Sequence, residues 1–412
     1  EAIGEWQPIF GPGAGHGYEA GHPQDFDRGV AIDREKFWRF LESTQPAELD
    51  KLKARPNWER LLLERLDRTL KREGILKVLK RGLDIDDAHL TLYYSLPFNN
   101  LNPAIGDRFA RNIFSVTRQV HYSQADPTLS IDMVLFVNGL AIATLELKNA
   151  WTGQTVVHAC RQYERRSAQE PLLSFGRCAV HFAVDTDDVF MTTRLAGKAT
   201  VFLPFNQGHD FGKGNPPNPA GHRTAYLWDE VLTRPSVANI LEHFTILTGK
   251  KKEPLAKKRL YFPRYHQLDV VRRLLAHARQ HGPGHTYLIQ HSAGSGKSNS
   301  ITWTAYQLIE LFAPGAARPL FDSVVVVTDR RNLDKQLRET IDQFSEVKNI
   351  IAPAYTATDL KTHLESGKRI ITTTIQKFPF IIDGIEDLSD KRFAVILDEA
   401  HSSQSGVAAD KL

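Results

Sequence analysis

Ile131-Asp132-Met133-Val134-Leu135-Phe136-Val137-Asn138-Gly139-Leu140-Ala141-Ile142-Ala143-Thr144-Leu145-Glu146-Leu147-Lys148 is a pair of apolar runs joined by Asn-Gly. Asn-Gly suits a tight turn between strands, and the flanking runs are rich in β-branched residues, so the spacing predicts a β-hairpin. Glu146 and Lys148 lie two apart on one strand and therefore project from one face. A plain two-residue turn would set Asp132 opposite Leu145, on the other face. A three-residue connection, with Gly139 as a left-handed bulge, would pair Asp132 with Thr144 and restore a shared face. There, Asp132 and Glu146 would hold Mg²⁺, and Lys148 would position or help activate a nucleophile; the competing reading is a salt-bridged hairpin edge.

Upstream of the hairpin, residues 1–32 are rich in Gly, Pro and His between Gly11 and Pro23, which predicts a surface arm with His16 and His22 as solvated loop residues. Helical spacing starts at Asp33, a candidate N-cap, and recurs from Trp58 to about Lys71, where Gly74 follows. Strand-like runs occur at Leu90–Leu96, Ile131–Val137, Ala141–Leu147 and Cys178–Val184, so residues 33–249 are expected to form an α/β domain with a mixed sheet. A Gly-, Asn- and Pro-rich loop spans Gly208 to Gly221. Residues 250–259 are polar and basic and are expected to be a linker.

From residue 260 to 412, strand-like runs at Thr286–Gln290, Ser323–Thr328, Ile370–Thr374 and Ala394–Leu397 alternate with helical segments, the pattern of a parallel sheet covered on both faces. Thr286-Tyr-Leu-Ile-Gln-His-Ser-Ala-Gly-Ser-Gly-Lys-Ser298 passes from an apolar run through small residues into a helical pattern, as a phosphate-binding loop does. Gly294, Ser295 and Gly296 would bring backbone N–H groups to phosphates, Lys297 would reach the terminal phosphates, and Ser298 would ligate magnesium. His291 stands where such loops usually carry their first glycine.

The chain has 412 residues, 42% of them hydrophobic, a net charge of +4 and only two cysteines, Cys160 and Cys178. No apolar run approaches the roughly 20 residues of a membrane span. Two cysteines without a CxxC pair exclude a disulfide framework and a structural zinc site, and both read as core residues. The basic excess is compatible with a polyanionic partner.

Phe393-Ala-Val-Ile-Leu-Asp398-Glu399-Ala400-His401 resembles the DEAH box of superfamily 2 helicases. The resemblance implies that Asp398 holds magnesium, Glu399 orients the attacking water, and His401 couples nucleotide state to the rest of the motor. Arg264-Tyr-His-Gln267 resembles an adenine-reading Q motif. Segments Val324–Leu333 and Ile371–Lys377 occupy positions where such motors grip a nucleic-acid backbone, although core strands with polar ends would look the same.

The order of D…ExK hairpin, basic stretch, phosphate loop and DEAH box resembles HsdR, the restriction and translocation subunit of type I restriction–modification enzymes. The likeness covers nearly the whole chain. It implies a PD-(D/E)xK nuclease domain from about Trp58 to Gly197, closest at Leu145-Glu-Leu-Lys-Asn149, followed by the first RecA-like ATPase lobe. In this family a Gln-xxx-Tyr element supports the nuclease; Tyr163 matches, but Ala159 stands where glutamine is expected, so Gln162 and Tyr163 are secondary candidates. The implied cofactors are ATP and Mg²⁺, and the implied partners are double-stranded DNA and the HsdM and HsdS subunits; the cysteine usage fits the reducing cytoplasm. Because the chain stops soon after Asp398 and begins without Met, it is expected to be a fragment lacking the second lobe, binding ATP weakly and not translocating. The alternatives are a repair helicase-nuclease without methyltransferase partners, and a non-catalytic DNA-binding platform attached to an ATPase.

Overall fold

The computed structural model describes residues 17–97, 102–250, 252–292, 294–328, 350–380, 388 and 390–398. The chain divides into two compact units, the first ending at His266 and the second starting at Gln267. It is α/β throughout, with a mixed sheet in the first unit and a parallel sheet in the second.

The mixed sheet runs in the order Glu19–Ala20, Phe114–His121, Ser130–Val137, Leu140–Leu147, Val180–Val184, Val189–Thr192, Leu203–Pro204. The first pair and the Leu140–Leu147/Val180–Val184 pair are parallel, the others antiparallel. Helix Val156–Arg165 packs Val156, Ala159 and Tyr163 onto the face carrying Val134, Phe136 and Ala141. The predicted helix starts hold: Asp33 caps Arg34–Thr44 by accepting from the Lys36 N–H at 3.0 Å, and Trp58–Glu73 ends at Gly74, whose φ is 79°. Cys178 is buried and Cys160 half-buried; both are free thiols.

The hairpin register differs from the three-residue connection expected. Asn138 and Gly139 form a two-residue turn, both left-handed (φ 51° and 76°), with Val137 opposite Leu140. The extra residue is Ile142 instead: Phe136 pairs with Ala141, but Leu135 pairs with Ala143. Asp132 is thereby carried to the position opposite Glu146, not Thr144, and the shared face is restored by a bulge inside the strand. The turn has no freedom to enlarge because it is buried. Asn138 accepts from the Ile113 N–H at 2.7 Å and donates to Leu92 O and Asn112 Oδ1, both at 2.9 Å. The bulge is held from the other side, where Ile142 O accepts from the Ala179 N–H at 2.8 Å.

A Cβ at Gly139 would stand 2.4 Å from Asp33 O and 2.6 Å from the Phe37 backbone nitrogen. Gly139→Ala combines that collision with a left-handed φ, and is expected to destabilise the first unit by more than ~2 kcal/mol. A urea denaturation midpoint unchanged from wild type would contradict this.

Three further expectations are corrected. From Gly17 on, the chain is not an arm: Tyr18 and Ile32 are fully buried, and Glu19–Ala20 adds a parallel strand to the sheet. Residues 1–16, with His16, lie outside the described residues, and His22 accepts from the Gln24 N–H. Of Leu90–Leu96, only Leu90 is in a strand (Ala88–Leu90). The stretch beyond it is extended, but its polar groups are taken by side chains: Gln45 accepts from Thr91 N, Asn112 from Tyr94 N and Glu242 from Leu96 N. Residues 250–259 do not link the two units. They join the antiparallel strands Ile246–Thr248 and Arg259–Tyr261 within the first, where Leu255 is buried against Gly74 and Gly176.

The second unit carries parallel strands in the order Ile351–Pro353, Ile370–Thr374, Ser323–Thr328, Phe393–Leu397. Val324, Val326 and Ile370 pack against Ala305, Tyr306 and Ile309 on and just beyond helix Lys297–Leu308. Val325, Val327 and Ile371 face Leu360 and Leu364 of helix Ala357–Glu365, so both faces are covered. Thr286–Gln290, expected as a strand, has no ladder among the described residues, and Leu288 is 86% exposed. An apolar run becomes a strand only where a neighbouring edge accepts its hydrogen bonds.

Candidate active site

On the helix-covered face of the mixed sheet, the apolar row Phe136, Val134 continues into Asp132, and Thr144 continues into Glu146. The covering helix ends at Arg165, so the two carboxylates lie where the apolar cover stops. Glu146 is fully buried; Asp132 retains 20% and Lys148 13% of side-chain exposure. Lys148 Nζ stands 3.9 Å from Asp132 Oδ2, which accepts from the Leu147 N–H at 2.8 Å. Gln119 donates to Asp132 Oδ1 at 3.1 Å from a strand position held at φ 47°. The three predicted nuclease residues are therefore together.

Arg166, which caps the helix C-terminus, is a site residue that the sequence motifs do not mark. Its guanidinium ion-pairs with Glu146 Oε1 and donates to Ser130 O at 2.7 Å and Tyr122 Oη at 2.9 Å. A lone arginine behind a helix has no sequence signature, and neither do Gln119 and Tyr122. Burial pushes the Glu146 carboxyl well above the usual carboxylate range; Arg166 opposes that rise, the charge of Asp132 and a hydrogen bond with it add to it, and Lys148 pulls it down. Of the secondary candidates, Tyr163 is fully buried and shares a hydrogen bond with Thr144 Oγ1 at 2.8 Å, whereas Gln162 is half-buried on the helix flank.

Thr144 Oγ1 also meets His181 Nδ1 at 2.7 Å, and burial holds the His181 imidazole down at about 4. The fold thus prefers neutral His181. The stability this preference gives is fully present above the ordinary histidine range near 6.5 and is lost as pH falls towards 4. Between pH 7 and 5 the loss is expected to be about 2 kcal/mol. His181→Gln should flatten that slope in urea titrations of the first unit; an unchanged slope would mean that another group sets it.

The residues fit a divalent cation. No N–H or O–H donor reaches buried Glu146 Oε2, and the Asp132 carboxyl lies within hydrogen-bonding reach of Glu146, so the two carboxylates need a shared proton or a cation between them. Among the described residues no group of three or more His, Cys, Asp or Glu surrounds one point, so two carboxylates would share the ion with water or phosphate oxygens. Mg²⁺ is commonly held that way.

In the second unit, Gly294 and Gly296 have φ of 73° and 85°, and Gly296 is the cap from which helix Lys297–Leu308 starts. Ser298 lies in its first turn, and Ser295 is buried. Gln267 does not stand clear for a base: its Nε2 donates to Ser295 O and Gly296 O, both at 3.1 Å, clamping the loop. His291 is lowered by burial and, second, by the Lys297 charge. Asp398 follows strand Phe393–Leu397 and donates its N–H to Val327 O at 2.9 Å. Arg264 belongs to the first unit. Glu399, Ala400 and His401 lie outside the described residues, as do 329–333.

Residues 38–200 match the family described as type I restriction enzyme R protein N terminus, and residues 266–412 match the SWI2/SNF2 ATPase family. The C-terminal part of a putative type I restriction enzyme MpnIIP endonuclease from Mycoplasma pneumoniae is 33% identical over 126 residues, 29% of this chain and 57% of the relative. The type I restriction enzyme SsaAORF53P endonuclease subunit of Staphylococcus saprophyticus is 24% identical over 310 residues, 72% of this chain and 30% of the relative. The HindI endonuclease subunit of Haemophilus influenzae is 26% identical over 303 residues, 67% of this chain and 26% of the relative. The chain thus spans between about a quarter and somewhat over half the length of these relatives. With both family matches in this order and endonuclease subunits aligned across both units, the chain is similar to type I restriction enzyme R proteins (HsdR) from their N-terminal domain into the ATPase segment.

Proposed function

We propose that this chain carries the Mg²⁺-dependent nuclease centre and the first ATPase lobe of a type I restriction enzyme, cutting double-stranded DNA after ATP-driven translocation. The first unit reads as a PD-(D/E)xK nuclease domain and the second as a RecA-like lobe. The observation that carries the proposal is the convergence of Asp132, Glu146 and Lys148, with the two carboxyls adjacent, Lys148 beside Asp132, and no donor on buried Glu146 Oε2. Asp132 and Glu146 would hold the ion. When bound, Mg²⁺ supplies a more acidic water and offsets negative charge at the scissile phosphate. Lys148, kept beside Asp132 and only partly exposed, would orient the water and meet the phosphate's charge.

In the second unit, the backbone of Gly294, Ser295 and Gly296 would cradle ATP phosphates at a helix N-terminus, with Lys297 reaching the terminal phosphates. Ser298 and Asp398 would hold the nucleotide's Mg²⁺, and Glu399 would orient the attacking water. Gln267, whose amide nitrogen clamps the phosphate loop, would offer adenine its carbonyl or report the base's presence to the loop. HsdM and HsdS partners would select the DNA site, and the chain would work in the cytoplasm. Among the described residues no helix is long and apolar enough to cross a membrane. The test is Mg²⁺- and ATP-dependent cleavage of a site-bearing plasmid by the assembled complex, comparing wild type, Asp132→Ala and Lys297→Ala.

A further inference from the structure

We infer that Arg166 is a positioning residue of the nuclease centre: it fixes Glu146 through Oε1, so that Oε2 is the oxygen presented to the metal. This rests on the nuclease reading above. The guanidinium is placed by contacts that do not involve Glu146. Its backbone N–H closes the helix on Tyr163 O at 3.1 Å, Nη1 donates to Tyr122 Oη, Nη2 donates to Ser130 O, and its carbon lies 5.1 Å from the Tyr122 ring centroid. The side chain is 6% exposed. These anchors come from two elements: Ser130 begins the strand carrying Asp132, and Tyr122 follows the strand carrying Gln119. Arg166 therefore sits as a fixed cation behind Glu146, and the carboxylate turns to it.

One oxygen of Glu146 is taken by this contact; the other is buried with no N–H or O–H donor, and the Asp132 carboxyl lies within hydrogen-bonding reach of Glu146. An ion pair whose only purpose was to neutralise Glu146 would gain by engaging both oxygens, as arginine–carboxylate pairs commonly do. Here Nη1 goes to Tyr122, Nη2 to Ser130 and Glu146, and the buried Nε has no partner, so Glu146 Oε2 is left for a cation. Direction, and not charge alone, is what a planar guanidinium supplies and an ammonium does not.

The experiment measures Mn²⁺ binding directly, by electron paramagnetic resonance on the intact protein without DNA, alongside Mg²⁺-dependent cleavage by the assembled complex. Variants are Arg166→Lys, Arg166→Met and Asp132→Ala. The inference expects Arg166→Lys, although it keeps the charge, to weaken Mn²⁺ binding by about tenfold or more, close to the effect of Arg166→Met. Wild-type Mn²⁺ affinity in Arg166→Lys would overturn it, reducing Arg166 to charge balance while leaving the nuclease reading intact. Equal Mn²⁺ binding in wild type and Asp132→Ala would instead remove the nuclease centre and this inference together. If Arg166→Lys does not fold, Tyr122→Phe decides: it removes one anchor of the fork, so weaker Mn²⁺ binding supports the inference and unchanged binding overturns it.

Discussion

Asp132→Ala in the assembled complex is expected to lower plasmid cleavage by about 10³-fold or more while leaving ATP hydrolysis within about twofold of wild type. The large effect follows from what Asp132 touches. It is the more exposed of the two carboxylates, it stands 3.9 Å from Lys148, and its Oδ2 is already aligned by the Leu147 N–H. Losing it would remove one of the two proposed carboxylate ligands and the Lys148 ammonium's 3.9 Å neighbour. ATPase activity should persist because the phosphate loop lies in a separately cored unit. Asp132→Asn guards against misfolding: it keeps the shape and can still accept from Leu147 N, but lacks the charge, so it should also fail to cut. Normal cutting by Asp132→Asn would show that the ion is held elsewhere and that the hairpin is structural.

The chemistry of the hairpin was legible because strand periodicity fixes faces. Glu146 and Lys148 had to project together, and Asp132 could join them only through an irregular register. The position of the irregularity was not legible, because it depends on contacts distant in sequence. Asn138 is tied to Leu92, Asn112 and Ile113, which locks the two-residue turn, while Ala179 receives the carbonyl of the bulged Ile142. Arg166 illustrates the same limit, since its role exists only once a helix C-terminus has been laid over a sheet. The 250–259 stretch misled for a different reason. Its lysines advertise solvent, but the single Leu255 among them is buried and the flanking residues pair as strands. Thr286–Gln290 has the composition of a buried strand, and composition does not supply an edge to pair with.

Lys297→Ala is expected to reduce ATP hydrolysis by about 10²- to 10³-fold, and to abolish ATP-dependent cleavage with it, while Mn²⁺ binding at Asp132 and Glu146 stays as in wild type. Lys297 opens helix Lys297–Leu308 directly after left-handed Gly296, so its ammonium and the first-turn N–H groups share one helix start, an arrangement that favours an anion. Burial first, and the Lys297 charge second, lower the nearby His291 imidazole. Removing the charge should therefore weaken capture of the terminal phosphates more than it disturbs the loop, whose carbonyls remain clamped by Gln267. Gln267→Ala separates the two contributions. It should loosen the loop and raise the ATP concentration needed for half-maximal turnover, with a smaller fall in maximal rate than Lys297→Ala. A Lys297→Ala complex that still cut DNA only when ATP was present would place the nucleotide at a different loop. If it cut equally well without ATP, cleavage would be uncoupled from the motor. Loss of both activities with the metal centre intact is the pattern that a motor feeding a nuclease requires, because the cut then depends on DNA being delivered to Asp132, Glu146 and Lys148.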